Sequence, residues 1–572
     1  MSTSKEIMAM THARRFARLT VLALLVGLTL PALAQAQDPA AIGSHGVTRQ
    51  EYTQGDTVFT PTGFPGPVEF TGVVHYPTDL INGPYPLVLY LHGRHQTCGT
   101  STLEWPCTGG RLPIKNFIGY DYSANQLASH GYIVISISAN GINARDNSVT
   151  DLGAFARAQL IDRHLEYWRT LNTVGAAPFG ALFVGRVDLT RVGTMGHSRG
   201  GEGIARHVSL NAAKASPFPL RVLVPIAPTN FSRFQVNNTF KVAQILSYCD
   251  GDVSDLQGVH FYDDARFLMT TSGYQQYINV MGGNHNFYNS IWTNDDWLFQ
   301  PADPFCSVGG AMSARLTAAQ QRAVGTAYLA TYFRTEVGGE PGFFGYIDGS
   351  TGKPPTVSAL AIHASYQGNN TQRRDLNRLL TNADLTTNFL GGATSQTGLT
   401  PHDLCGGLAP QPLHCLAGST ARQPHTTPSA RSTMRGMSQL RTGWNATTAT
   451  FVHQIPAGPS RDISAFDFFQ FRAVVNFTDG RNPVGAPRDL VVRFTDALGA
   501  VQSLRVGMFS GALYYPPGVN GPVPKALQNV IRLPLSALTT VNKTQIREVA
   551  FLFNQQATGA LLISEISFYN KP

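Results

Sequence analysis

The residues best suited to covalent chemistry lie at 191–203, RVGTMGHSRGGEG, around Ser198. Gly196-His197-Ser198-Arg199-Gly200 is a G-x-S-x-G motif between an apolar run carrying Val192 and Met195 and a glycine-rich, helix-like segment. That setting gives the motif meaning. A serine on a tight strand-to-helix turn presents its hydroxyl at the sheet edge, and the flanking positions leave little room for side chains. The positive end of the following helix favours a developing oxyanion. A neutral hydroxyl attacks poorly, so an imidazole and an orienting carboxylate are required from elsewhere in the chain.

The imidazole is expected from His285, in the loop GGNHNF at 282–287. Of 16 histidines, His197 inside the motif and His92 at the end of an apolar run are its main rivals. The chain order serine, acid, histidine selects His285. The acid belongs to Cys249-Asp250-Gly251-Asp252-Val253-Ser254-Asp255, where Asp250 and Asp252 both stand open. Three aspartates in six residues also suggest a calcium loop, but an EF-hand starting at Asp250 would need glycine in place of Asp255 and glutamate in place of Phe261. No C-x-x-C pair points to zinc. No metal and no cofactor are expected. Two backbone N–H groups must face the oxyanion: Arg199, directly after the nucleophile, and Arg94, in the loop His92-Gly93-Arg94. Trp105, Tyr120 and Tyr122 are candidate walls of a substrate cleft.

Strands and helices must carry these groups. Continuous apolar runs at 86–92 and 132–138 read as buried parallel strands, and 221–226, 242–248 and 277–281 as further ones. Helical spacing appears at 121–130, 154–171 and 318–333. Alternation of strand and helix over this length predicts an α/β domain, a mostly parallel sheet with helices on both faces. Beyond Gly338-Gly339-Glu340-Pro341-Gly342 helical patterns become scarce, and short runs at 468–477, 489–494, 530–533, 549–553 and 561–568 predict an all-β, jelly-roll-like sandwich. The domain boundaries drawn on this basis are 1–36 leader, 37–340 catalytic domain, 341–440 connector or start of the sandwich, and 441–572 sandwich.

The leader reads as a secretory signal peptide: Arg14, Arg15 and Arg18, an apolar run at 19–30, then small residues suited to cleavage. The chain is expected outside the cytoplasm, extracellular or periplasmic, with no membrane span. Of a net charge of +8 the leader supplies three, leaving a mild +5 on a long chain with no basic cluster, which argues against nucleic acid as a partner. Six cysteines in an exported chain should pair. Fifteen pairings are open; proximity favours Cys98–Cys107 and Cys405–Cys415, which leaves Cys249–Cys306.

With LHGRH at 91–95, GHSRGG at 196–201, CDGDV at 249–253 and GGNHNF at 282–287 in this order, residues 68–333 resemble an α/β-hydrolase of the secreted esterase type, near dienelactone hydrolases, platelet-activating-factor acetylhydrolases and cutinase-like polyesterases. The tail, with RDISAFDFFQFRAVV and REVAFLF, is similar to galactose-binding-like modules of carbohydrate-active enzymes. The resemblance implies a carboxylic-ester hydrolase working through an acyl-enzyme on a small or polymeric ester. It favours Asp250 as the acid, since Val253 follows three residues later as in related hydrolases, and it supplies a precedent for a Cys249–Cys306 tether. Alternatives are a carbohydrate esterase guided to polysaccharide by the sandwich, or a secreted peptidase or amidase.

Overall fold

The computed structural model describes residues 37–571 except 101, 237, 238 and 271; the expected leader at 1–36 lies outside the described residues. The first half builds nine strands, β1 (Val47–Thr53), β2 (Thr71–Pro77), β3 (Tyr85–Leu91), β4 (Ile133–Ile137), β5 (Val187–His197), β6 (Leu220–Ile226), β7 (Lys241–Ser247), β8 (Tyr274–Val280) and β9 (Ile362–Gln367). Its helices are α1 (Asp121–Ala128), α2 (Asn140–Asn143), α3 (Ala154–Thr173), α4 (Arg199–Ala212), α5 (Val259–Ala265), α6 (Ala318–Glu336) and α7 (Phe344–Ile347). The nine strands form one sheet in the order β1-β2-β4-β3-β5-β6-β7-β8-β9. Pairing is parallel from β4 through β8 and antiparallel at both margins.

Every residue of β3 and β4 is buried, so the sheet needs cover on both faces. Alternation along β3 distributes the cover. Leu87, Leu89 and Leu91 pack with Ile161, Leu165 and Trp168 of α3 and Ile204 and Val208 of α4. Val88 and Tyr90 pack on the other face with Leu127 of α1 and Val324, Leu329 and Phe333 of α6. α6 starts on a capping box, in which Thr317 and Gln320 satisfy each other's backbone N–H groups.

The second half is all β: β10 (Arg373–Asn377), β11 (Thr394–Thr397), β12 (Leu399–Cys405), β13 (Gln439–Trp444), β14 (Thr450–Gln454), β15 (Phe468–Val475), β16 (Val491–Asp496), β17 (Val501–Arg505), β18 (Asn529–Pro534), β19 (Ile546–Leu552) and β20 (Gly559–Tyr569). They make two antiparallel sheets, β12-β13-β20-β15-β18 with β10 also on β20, and β11-β14-β19-β16-β17. Along β15, Phe469, Phe471, Ala473 and Val475 enter a core shared with Phe451, Phe494 and Phe551 of the opposing sheet. The intervening Arg472 points out of that core toward the first half, onto Asp263 of α5.

Residues 341–440, expected as connector or start of the sandwich, contribute strands to both halves. β9 belongs to the first sheet and closes what would be an exposed edge at β8, whereas β10 to β13 belong to the sandwich. IHASYQ, the sequence of β9, has no apolar run to announce it. Asp38–Pro572 is one compact unit. Tyr569 at the end of β20 sits in the same apolar cluster as Ile278 of β8 and Tyr366 of β9. Among the described residues no helix is long and apolar enough to cross a membrane.

Candidate active site

The site forms at the carboxyl ends of β5, β7 and β8, where the parallel strands release their loops on one edge of the sheet. Ser198 stands between β5 and α4 with φ 56° and ψ −125°, a backbone conformation that costs energy in a non-glycine residue. Its amide donates to the Ile226 carbonyl, 2.9 Å, and its carbonyl accepts from Gly201, 2.9 Å, so the strained turn is held from both sides. The neighbours leave no choice of residue. A Cβ on Gly200 would lie 2.5 Å from the Leu91 carbonyl oxygen, and one on Gly93 would lie 2.5 Å from the Ser198 Cβ. Gly93 therefore lies directly against the serine, with Arg94 next in the chain.

His285 follows β8. Its Nδ1 lies 2.9 Å from Asp250 Oδ2, and both side chains are buried. Asp250 Oδ1 accepts from the amides of Asp252, 3.0 Å, and Val253, 2.6 Å. Asp252 instead stands 3.5 Å from His285 Nε2, with two-thirds of its side chain exposed. The two aspartates of the loop thus take opposite edges of one ring. Burial alone would lower the His285 pKa, but the charge and hydrogen bond of Asp250, then Asp252 and Asp296, outweigh it and push it up to about 10.

His197 places His285 against the serine turn. His197 Nε2 donates to the His285 carbonyl, 3.0 Å, and the two rings are 5.0 Å apart. Its Nδ1 then accepts from the Tyr120 hydroxyl, 2.9 Å. Burial, then the charge of His285, hold His197 well below the usual imidazole range, so it is a neutral link rather than a base. His92 is also neutral and internal: Nδ1 donates to the Gly93 carbonyl, 2.8 Å, and Nε2 accepts from the Ala139 amide, 2.9 Å.

The amide of Arg94 has no hydrogen-bond partner among the described residues, and that of Arg199 opens α4, where helices leave N–H groups free. Both side chains turn to one buried carboxylate: Arg94 Nε is 3.0 Å from Asp146 Oδ1, and Arg199 Nη1 is 2.8 Å from Oδ2.

The expected cleft walls are not brought to the serine. Tyr120 is fully buried behind the turn, on His197. Tyr122 donates to the Tyr288 carbonyl, 2.8 Å. Trp105 donates to the Asp56 carbonyl, 2.7 Å, and lines a cavity of about 390 Å³ with Glu51, Glu69, Lys115 and Asn140, which does not include Ser198 or His285. In each case an aromatic ring with a polar tip has found a polar partner, the His197 imidazole for Tyr120 and a backbone carbonyl for Tyr122 and Trp105, which sequence spacing does not show. The aromatic residue at the site is Trp292, stacked parallel to His285 with centroids 6.4 Å apart and 4.7 Å from the His197 ring. Its Nε1 donates to Asn116 Oδ1, 2.9 Å.

Two other groups went unread. Asp296 binds the acid loop and the histidine loop together, accepting from Gly251 N at 2.7 Å, His285 N at 3.0 Å and Asn286 N at 3.0 Å. Burial, then the charge of Asp250, raise its pKa to about 6. Lys525 reaches from the sandwich under the acid loop, where Nζ donates to the Ser254 and Pro522 carbonyls. Burial lowers its pKa to about 7, against the pull of Asp250 and Asp255. Neither residue sits in a recognisable motif. The disulfide Cys249–Cys306 joins the start of the acid loop to the segment after His285; Cys98–Cys107 and Cys405–Cys415 are also formed.

The family described as PETase, PET hydrolase-like, matches residues 32–297, a span holding Ser198, Asp250 and His285 but not the sandwich. A bis(hydroxyethyl) terephthalate hydrolase of Streptomyces coelicolor is 29% identical over 233 residues, covering 38% of this chain and 60% of that relative's length.

Proposed function

We propose that the chain is an exported serine hydrolase of carboxylic esters, built on an α/β-hydrolase fold and acting on polyester or its ester fragments. The observation that carries this is the buried His285 Nδ1–Asp250 contact of 2.9 Å on a loop that His197 ties to the serine turn. In the reaction Ser198 Oγ attacks the ester carbonyl while His285 Nε2 takes its proton. Asp250 accepts the Nδ1 proton's hydrogen bond and stabilises the imidazolium. The Arg94 and Arg199 amides hold the oxygen of the tetrahedral intermediate. The alcohol leaves with the proton from His285, and water, deprotonated by the same nitrogen, releases the acid and regenerates the serine. For Asp252 the geometry supports a different part, an exposed charge on the Nε2 side.

The match to a bis(hydroxyethyl) terephthalate hydrolase supports glycol esters of an aromatic diacid as substrates. The three disulfides support residence in an oxidising compartment. The test is a series of p-nitrophenyl esters of rising acyl length, together with bis(hydroxyethyl) terephthalate and polyester film, for wild type and Ser198→Ala. Release from all but the longest esters by wild type alone is the expected result. Equal turnover by Ser198→Ala would overturn the assignment of the nucleophile, and hydrolysis of soluble esters with no release from film would limit the substrate to fragments.

A further inference from the structure

Asp146 is fully buried and faces three arginines. Arg157 Nη2 lies 2.8 Å from its Oδ2, Arg199 Nη1 2.8 Å from the same oxygen, and Arg94 Nε 3.0 Å from Oδ1. Three permanent cations meet one anion. The nearest further carboxylate on α4, Glu202, does not redress this. Its oxygens are engaged by the Thr229 hydroxyl, 3.0 Å, and the Ser232 amide, 2.8 Å, and burial pushes its carboxyl up. The excess shows on Arg199, whose proton affinity is lowered by burial and by the charges of Arg157 and Arg94, against the pull of Asp146.

The two arginines with accessible surface are those that flank the nucleophile. Arg94 follows Gly93, which lies against the Ser198 side chain, and Arg199 follows the serine itself. The Arg94 side chain is 28% exposed and that of Arg199 15%, while Arg157 is sealed. Arg94 spends only Nε on Asp146, and its terminal nitrogens have no partner among the described residues. Arg199 is steadied by Asn147 Oδ1, 3.0 Å, and lies over the Phe231 ring. A guanidinium so placed offers planar donors to a carboxylate in surroundings partly withdrawn from water.

We propose that Arg94 and Arg199, held in place by Asp146, form an anion-accepting subsite beside the nucleophile, so that half-esters of dicarboxylic acids are taken as substrates alongside neutral diesters. This rests on the ester-hydrolase reading above and names its substrate class. A diester cut once leaves such a half-ester, and the subsite carries it to the free diacid in place of releasing it. In a neutral cleft the carboxylate would have to shed water without compensation.

The test compares bis(hydroxyethyl) terephthalate with the half-ester left by removing one glycol arm. In wild type, raising sodium chloride from low to high concentration should increase KM for the half-ester about fivefold through screening, with the diester unmoved. Arg94→Gln should lower the half-ester to diester ratio of kcat/KM by about tenfold, the loss of one ion pair of roughly 1.4 kcal/mol, and Arg94→Lys should restore part of it. A ratio indifferent to both salt and Arg94→Gln would overturn the subsite. Calorimetric binding of the half-ester to Ser198→Ala protein reads the subsite without turnover. Salt-sensitive binding there supports it even if no ester is hydrolysed, an outcome that would sink the hydrolase reading alone. Absence of binding would sink the subsite alone.

Discussion

The molecule contains two buried histidine–aspartate pairs that look alike at first contact. In the first half His285 Nδ1 meets Asp250 Oδ2 at 2.9 Å; at the junction with the sandwich His425 Nδ1 meets Asp263 Oδ2 at 2.8 Å. The difference lies in what holds the other side of each group. His425 Nε2 accepts the Gln528 amide, 2.9 Å, so that ring is neutral and fully used. Asp263 also faces Arg472, which bridges to Glu565 and to the Tyr277 hydroxyl. The carboxylate's charge is spent on an arginine. Asp250 has two backbone amides and, among the described residues, no lysine or arginine in contact, so its charge remains available to an imidazolium. Burial, against the opposing pull of Asp263, leaves His425 below the usual imidazole range, whereas His285 is driven above it. Distance between ring and carboxylate therefore does not identify a base; a free far nitrogen and an uncommitted acid do.

Substitution of the two acids should separate the pairs most sharply. Asp250→Asn is expected to lower kcat by about 10⁴-fold, because the ring loses its tautomer and its stabilising charge, with a loss of stability that shrinks as pH rises toward the folded pKa of His285. Asp263→Asn should leave kcat of the folded protein within about twofold and cost about 3–5 kcal/mol of stability, since a buried charged network loses one partner. Ester turnover and denaturant midpoints read both effects. Loss of activity in folded Asp263→Asn would erase the distinction.

A second break comes from pH. The folded pKa of His285 is raised, so its stabilising contribution is complete below the unfolded value of about 6.5 and is lost as pH rises through the folded value of about 10. His425 is shifted the other way. In the unfolded chain it binds a proton more readily, so the fold weakens as pH falls below about 6.5. Denaturant midpoints from pH 5 to 9 should thus decline on both flanks. Asp250→Asn should flatten the alkaline flank and His425→Gln the acid one, by up to about 1.4 kcal/mol for each pH unit. A crossed assignment of flanks would show that the two pairs had been misread.

The same contrast explains what the sequence could reveal. Ser198, the acid loop and His285 each end an apolar strand run, and parallel strand ends converge whatever fills the loops, so their order along the chain was informative. The choice between Asp250 and Asp252 leaned on the family resemblance, through Val253, since both leave the same strand and only the turn decides which reaches Nδ1. His425 and Asp263 are 162 residues apart on different halves. Their meeting depends on the packing of α5 against the sandwich, and no local periodicity encodes it. Lys525 under the acid loop was hidden for that reason, and β9 because Ile362, Ala364 and Tyr366 alternate with polar residues over only six positions, with no continuous apolar run of the kind that marks the central strands. Tyr120 failed as a cleft wall because proximity in sequence to a loop says nothing of which way a ring turns.

The smallest expected effect isolates the far nitrogen itself. Asp252 Oδ2 lies 3.5 Å from His285 Nε2, and its charge helps raise the ring's pKa. Hydrolysis needs the neutral ring, so kcat/KM should climb with pH through that pKa. Asp252→Asn removes an anion that favours the protonated form; the pKa falls and the acid limb of the profile moves to lower pH. Because the Asp252 side chain is 66% exposed, water and salt screen it, and the displacement should be about half a pH unit at low ionic strength and less at high. The plateau rate should change little. A limb that moves upward, or a plateau that falls as far as in Asp250→Asn, would mean that Asp252 orients the ring and that its two edges have exchanged roles. A downward shift that salt abolishes would leave Asp250 on the Nδ1 side and place Nε2 in contact with solvent and substrate, the one condition His425 cannot meet.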